Sequence, residues 1–214
     1  MAWRNKEGTT VYLTKLELPL QIRKAAGLLT DCQNMHRWIS TLFEAERQAQ
    51  HVLYRTNMLR GKIQIYLYSD IPPKYIPAEA QVAGQRDLGA WLDGMEAGSV
   101  WGFDLLAMPS KKAYQAERGK NSQRRLLRHP EERMEWLRRK GQEYGFWVLQ
   151  AEELEQRHMR GRHRQERGGS MYLEAYHYRG ILKIQQTDNF RKALTTGIGP
   201  GKAYGLGMIL LQKQ

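Results

Sequence analysis

An α+β chain of two tandem β-α-β-β-α-β halves is predicted by three features. Short alternating apolar segments are interleaved with helical ones, the same order restarts near position 98, and the glycine-rich stretch GIGPGKAYGLG, Gly197 to Gly207, leads into a last apolar strand. Antiparallel sheets with helices on one face satisfy this plan, so two ferredoxin-like (RRM-like) domains are expected, residues 1–97 and 98–214. One larger α+β domain is the alternative. With 214 residues, 41% of them hydrophobic, the chain is long enough for proper cores.

In the first half, Val11 to Leu20 (VYLTKLELPL) alternates and reads as a half-buried strand ending at Pro19. Thr30 and Asp31 are both good caps, Gln33 stands where a capping box on Thr30 would need it, and Met35, Trp38, Ile39 and Leu42 recur at helical spacing. A helix is therefore expected to about Gln50. His51 to Asn57 and Lys62 to Ser69 predict two strands joined at Leu59-Arg60-Gly61. A proline-bearing stretch, Asp70 to Pro77, then leads to a short helix followed by a closing strand and a linker.

The second half opens with a strand from Ser99 to Met108 and a basic loop from Lys111 to His129. A helix runs from Pro130, at its first turn, to Tyr144, with Met134, Trp136 and Leu137 apolar. Phe146 to Ala151 and Met171 to Gln186 predict strands on either side of an arginine-rich stretch. Asp188 caps a helix from Asn189 to Thr196, and the glycine loop feeds a strand from Met208 to Leu211.

The net charge is +12, from 34 Lys and Arg against 22 Asp and Glu, and the cations cluster, which points to a polyanionic partner, nucleic acid before a membrane surface. A lone cysteine, Cys32, forms no internal disulfide, so a cytoplasmic protein is expected. No apolar run approaches a membrane span, and the N-terminal stretch lacks a signal peptide's apolar region.

Glycines spaced as in Gly197 to Gly207 hold neither helix nor ladder, so they serve positive φ or close backbone approach. Amides exposed in such a loop cradle phosphate, with Lys202 adding charge, whereas a turn between helix and strand is the structural reading. A P-loop is excluded because no Gly-Lys-Ser/Thr ending is present, and a dinucleotide loop because the segment precedes a strand.

Four stretches in order, YLTKLEL from Tyr12, DCQNMHRW around His36, LLAMPSKK from Leu105 and GIGPGKAYGLG at the end, resemble the CasE-type repeat-processing endoribonucleases of type I-E CRISPR systems, within the RAMP superfamily. The resemblance implies a metal-independent ribonuclease that cuts CRISPR precursor RNA at the base of the repeat hairpin, stays bound to its product, and joins Cascade beside the backbone and crRNA-capping subunits. No cofactor and no membrane partner are expected. The resemblance also implies that the catalytic histidine is His36. The family's usual tyrosine three residues earlier is replaced here by Gln33, which donates hydrogen bonds but cannot act as acid or base. Tyr12 and Tyr204 are candidate substitutes, with simple packing as their competing role.

The residues themselves support this chemistry. Metal-free cleavage needs a group to take the 2′-hydroxyl proton and one to protonate the leaving 5′-oxygen. His36 falls in the first turn of a capped helix, opposite the Trp38/Leu42 stripe, where helix-start amides also attract phosphate; a solvated surface histidine is the competing reading. Lys111, Lys112, Arg118, Lys120, Arg124, Arg125 and Arg128, with Arg157, Arg160, Arg162, Arg164 and Arg167, are candidate RNA contacts alongside Gly199, Gly201 and Lys202. Glu131/Glu132 and Glu152/Glu153 lack the spacing of a metal site, and His158 with His163 lacks the cysteines a zinc site would use. A non-cleaving hairpin-binding subunit of the same complex is the alternative function. A generic RNA-recognition-motif protein is disfavoured, because its aromatic strand signatures are missing.

Overall fold

The computed structural model describes residues 11–21, 23–44, 51–112, 124–162 and 169–213. The chain divides into two compact units, the first comprising Met1–Met95 with Arg160–Met171 and Ala203–Gly205, the second Glu96–Met159, Tyr172–Lys202 and Leu206–Gln214.

The first unit contains β1 (Tyr12–Pro19), α1 (Arg23–Thr30), α2 (Cys32–Ser40), β2 (Leu53–Leu59), β3 (Lys62–Ser69), β4 (Gln81–Asp87) and α3 (Gly89–Asp93). Its antiparallel sheet has the order β2-β3-β1-β4. Period-two alternation buries Thr14, Leu16 and Leu18 of β1 and leaves Lys15 and Glu17 partly exposed. Leu16 and Leu18 stand opposite Ile65 and Ile63, and their core takes in Met35, Trp38 and Ile39 of α2 together with Leu42. Complete burial of such side chains contributes about 1.5–3 kcal/mol each.

Three expectations for this half change. The helix expected from its caps at Thr30 and Asp31 does start there, with Asp31 as N-cap, but an unexpected helix, α1, precedes it, and α2 stops at Ser40, where the Ser40 and Thr41 hydroxyls donate back to the carbonyls of His36 and Trp38; residues 45–50 lie outside the described set. β2 begins two residues later than expected. Near the linker the order is strand then helix, and residues 70–80 contain no helix. β4 is exposed at every position as it pairs along the edge of β1, so it carries no apolar alternation to read.

The second unit is built on β5 (Val100–Ala107), β6 (Ser110–Lys112), β7 (Arg124–Leu126), α4 (Pro130–Glu143), β8 (Phe146–Arg162), β9 (Ser170–Ile184), α5 (Thr187–Thr196) and β10 (Ile209–Lys213); the tips of β8 and β9 count with the first unit. Its main sheet has the order β10-β5-β9-β8. In both sheets the first strand of the half lies between its third and fourth, and the second lies outside the third. That is the strand order of a ferredoxin-like fold, so the architecture is α+β with two such domains in tandem. Phe103, Leu105, Trp136, Leu137, Phe146, Phe190 and Leu194 are buried, with the Phe146 and Phe190 rings meeting edge to face at 5.4 Å.

Here β8 runs eleven residues past its expected end, because charged and polar side chains are compatible with a solvated strand. Gln186, not Asp188, occupies the N-cap of α5, and Asp188 sits in the first turn, where its charge still favours the helix dipole. The basic loop holds the short antiparallel ladder of β6 with β7.

The glycine loop closes on itself. The Ile198 amide donates to the Gly207 carbonyl at 2.8 Å, and the Gly207 amide donates to Leu106 of β5 at 2.7 Å. Gly207 has φ +83°, and a Cβ there would lie 2.5 Å from the Ile198 carbonyl oxygen. Gly207→Ala should therefore cost about 1–3 kcal/mol, read as a lower urea midpoint; an unchanged midpoint would show that this closure contributes nothing to stability.

Candidate active site

Within the first unit, the start of α2 is set by its cap. Asp31 is extended (φ −137°, ψ 111°) and its Oδ1 accepts the Gln33 amide at 2.8 Å, while its carbonyl takes the Asn34 amide at 3.0 Å. From this start Met35, Trp38 and Ile39 turn to the core, and Gln33 and His36, three residues apart, share another side of the helix. Gln33 Nε2 donates to the Tyr204 hydroxyl at 3.1 Å, and the Tyr204 ring meets the His36 ring edge-on with centroids 5.9 Å apart. Gln33 is buried, whereas His36 and Tyr204 are half-buried and so partly open to solvent.

Tyr204 ends a single 3₁₀ turn, Lys202–Tyr204. The neighbouring carbonyl of Ala203 accepts from the Tyr54 hydroxyl at 3.2 Å, and Gly205 lies so close to the Tyr54 ring that a Cβ would meet it at 2.8 Å. Gly161 does the same for α2: a Cβ there would lie 2.9 Å from Cys32 Sγ and 3.1 Å from Gln33 Cγ. Tyr12, also a candidate, is half-buried on the core-facing side of β1, opposite Ser69 and Asp87, and is not part of the contacts joining Gln33, His36 and Tyr204. Burial, with Asp31 adding to it, pushes the Cys32 thiol up to about 11, so it is neutral near pH 7 and unsuited to nucleophilic work.

Arg160 and Arg162, exposed at the tip of β8, also belong to the first unit. In the second, the register of β6 with β7 sets Lys111 across from Arg125 and Lys112 across from Arg124. Like charges directly opposite in an antiparallel pair are destabilising, so the ladder carries a repulsion that a polyanion would relieve. Arg124, Arg125 and Arg128 are exposed; Lys111 Nζ is 3.4 Å from Glu132, and Arg157 is paired with Glu155 at 2.6 Å. Burial, then the nearby Lys140, holds the Lys202 ammonium below the usual lysine range. Gly199 and Gly201, at φ +80° and +82°, lie against Trp136 and Leu206, which accounts for glycine at both positions from within the chain. Arg118, Lys120, His163, Arg164 and Arg167 lie outside the described residues. Among the described residues no group of three His, Cys, Asp or Glu side chains could hold a metal ion, and no helix is long and apolar enough to cross a membrane.

One residue that sequence reasoning passed over is Arg133. Its buried guanidinium takes Glu153 through both oxygens at 2.8 and 2.6 Å, donates to the Arg128 carbonyl at 2.5 Å, and stacks over the Tyr176 ring at 4.0 Å. It thereby ties down the chain that leaves the basic ladder. The available signal was a charge on the apolar face of α4, in phase with Trp136 and Leu137. Glu153→Ala leaves that guanidinium buried without its carboxylate and should cost about 3–5 kcal/mol in urea unfolding, while the Arg133→Met/Glu153→Leu double variant should recover much of the loss. A double variant as unstable as the single one would refute this account.

Comparison with known proteins agrees with the strand order. The family described as CRISPR associated protein matches residues 11–213. The CRISPR-associated endoribonuclease Cse3 of Thermus thermophilus is 28% identical, over 93% of this chain and 98% of that protein. A solved structure of the CRISPR endoribonuclease Cse3 bound to a 19-nucleotide RNA superposes with a TM-score of 0.82 at 26% identity, covering 95% of this chain and all of the other. A subunit of a CRISPR RNA-guided surveillance complex shares the fold, with a TM-score of 0.71 at 23% identity over 94% of this chain and 98% of the other. With a match spanning nearly the whole chain, a shared fold and a histidine set on a capped helix beside a loop tyrosine, this chain belongs to the CRISPR-associated protein family.

Proposed function

We propose that this protein is the endoribonuclease that processes CRISPR precursor RNA: it binds the repeat hairpin, cuts at the base of the stem, and stays with the product as a subunit of Cascade in the cytoplasm. The observation that carries this reading is the end-to-end match to Cse3, combined with His36 on α2 in ring contact with Tyr204. The reaction we propose needs no metal. The His36 imidazole takes the proton of the 2′-hydroxyl beside the scissile phosphate, and the 2′-oxygen attacks phosphorus. Gln33 orients neighbouring groups without titrating, and Tyr12 stands further along β1 as a candidate contact.

The stem is held through its phosphates. Lys111, Lys112, Lys120, Arg124, Arg125 and Arg128 supply one set of cations, Arg157, Arg160, Arg162 and Arg164 another, and the loop bearing Gly199, Gly201 and Lys202 adds backbone amides and a charge. Each phosphate neutralised releases counterions, so hairpin affinity should fall more than about threefold between low and physiological salt. A flat salt dependence would remove the electrostatic part of this reading.

Chemistry is tested separately. Repeat RNA incubated in EDTA should yield a 2′,3′-cyclic phosphate and a 5′-hydroxyl by mass spectrometry, and a 2′-deoxy nucleotide at the cut should abolish cleavage but not binding. His36→Ala should lose ~10²–10⁴-fold in rate at unchanged affinity. A 5′-phosphate product or a strict need for Mg²⁺ would point to a water nucleophile, and binding without any cleavage would leave a hairpin-binding subunit.

A further inference from the structure

We infer that Tyr204 is the general acid of this ribonuclease, the group that protonates the departing 5′-oxygen; the inference rests on the endoribonuclease reading and adds a second catalytic residue to it. Two requirements point to this side chain. The acid and the base must reach the same phosphate, one at the attacking 2′-oxygen and one at the departing 5′-oxygen, and the Tyr204 ring, in edge contact with His36 at 5.9 Å, is near enough for the two side chains to serve one phosphate. It must also gain from losing its proton. Gln33 Nε2 donates to the phenol oxygen at 3.1 Å, and a hydrogen bond donated to that oxygen strengthens when it becomes phenolate.

The bond is held from both ends. Gln33 is buried, its amide is fixed on Asp31, its carbonyl accepts from Arg37 Nε at 3.1 Å, and Gly161 leaves room for its stem. Tyr204 is fixed through the Tyr54 hydroxyl on the Ala203 carbonyl and through Gly205 against the Tyr54 ring. Gln33 is therefore a positioning residue acting through Tyr204.

The step balances. His36 takes the 2′-hydroxyl proton as the bond from the 2′-oxygen to phosphorus forms; the bond from phosphorus to the 5′-oxygen breaks, and the Tyr204 phenol gives its proton to that oxygen. The imidazolium then returns a proton to the phenolate, directly or through solvent, and both groups are restored.

A leaving-group test separates this role from packing. Tyr204→Phe keeps the ring and should cut ordinary repeat RNA ~10²–10⁴-fold more slowly than wild type. On RNA in which sulfur replaces the 5′-bridging oxygen, the leaving thiolate needs no proton, so Tyr204→Phe should return close to the wild-type rate while His36→Ala stays slow. Gln33→Leu should show a smaller loss with the same rescue by sulfur. Equal losses for Tyr204→Phe on both RNAs, or no loss on ordinary RNA, would overturn the assignment and leave the endoribonuclease reading standing. If wild type cuts neither RNA, the endoribonuclease reading itself fails.

Discussion

The hydrogen bond from the Gln33 amide to the Asp31 carboxylate is the constraint on which the candidate site depends. A cap of this kind stabilises a helix by about 0.5–2 kcal/mol, but its larger effect here is geometric. It sets the start of α2 and with it the rotation of α2 about its axis. With that rotation set, Met35, Trp38 and Ile39 enter the core, and Gln33 and His36 are left on the side that meets Tyr204. Core packing and the geometry of the candidate site are two faces of one short helix, so neither can shift without the other.

Two kinds of charge serve opposite ends in this chain. Arg133 is buried, matched by a carboxylate, a carbonyl and an aromatic face, and its cost of desolvation is offset inside the protein. The cations of the β6–β7 ladder instead face one another in register, and Lys202 is held partly out of water with Lys140 nearby. Like charges set together in this way raise the local positive potential, even where Lys111 has Glu132 and Lys140 has Glu143 beside it.

The fold class was legible because the alternation in β1 and the stripe from Met35 to Leu42 are direct consequences of burying one face of each element. Where burial does not govern, legibility failed. β4 is exposed throughout, the outer part of β8 carries arginines and glutamates, and the end of α2 at Ser40 depends on side-chain hydroxyls turning back onto backbone carbonyls, so each was misplaced.

The same division runs through the site. Composition and order alone determined a basic chain with two α+β halves, a capped helix bearing His36 and a glycine loop, because charge and periodicity are properties of the chain itself. Only the tertiary structure decided that Tyr204, rather than Tyr12, meets Gln33 and His36. Residues 33 and 204 are 171 positions apart, and their contact depends on backbone conformations at Gly205 and packing at Gly161 that no local pattern encodes. For the same reason, the burial of Arg133 against Glu153 followed from three-dimensional packing and not from the spacing of charges along the chain.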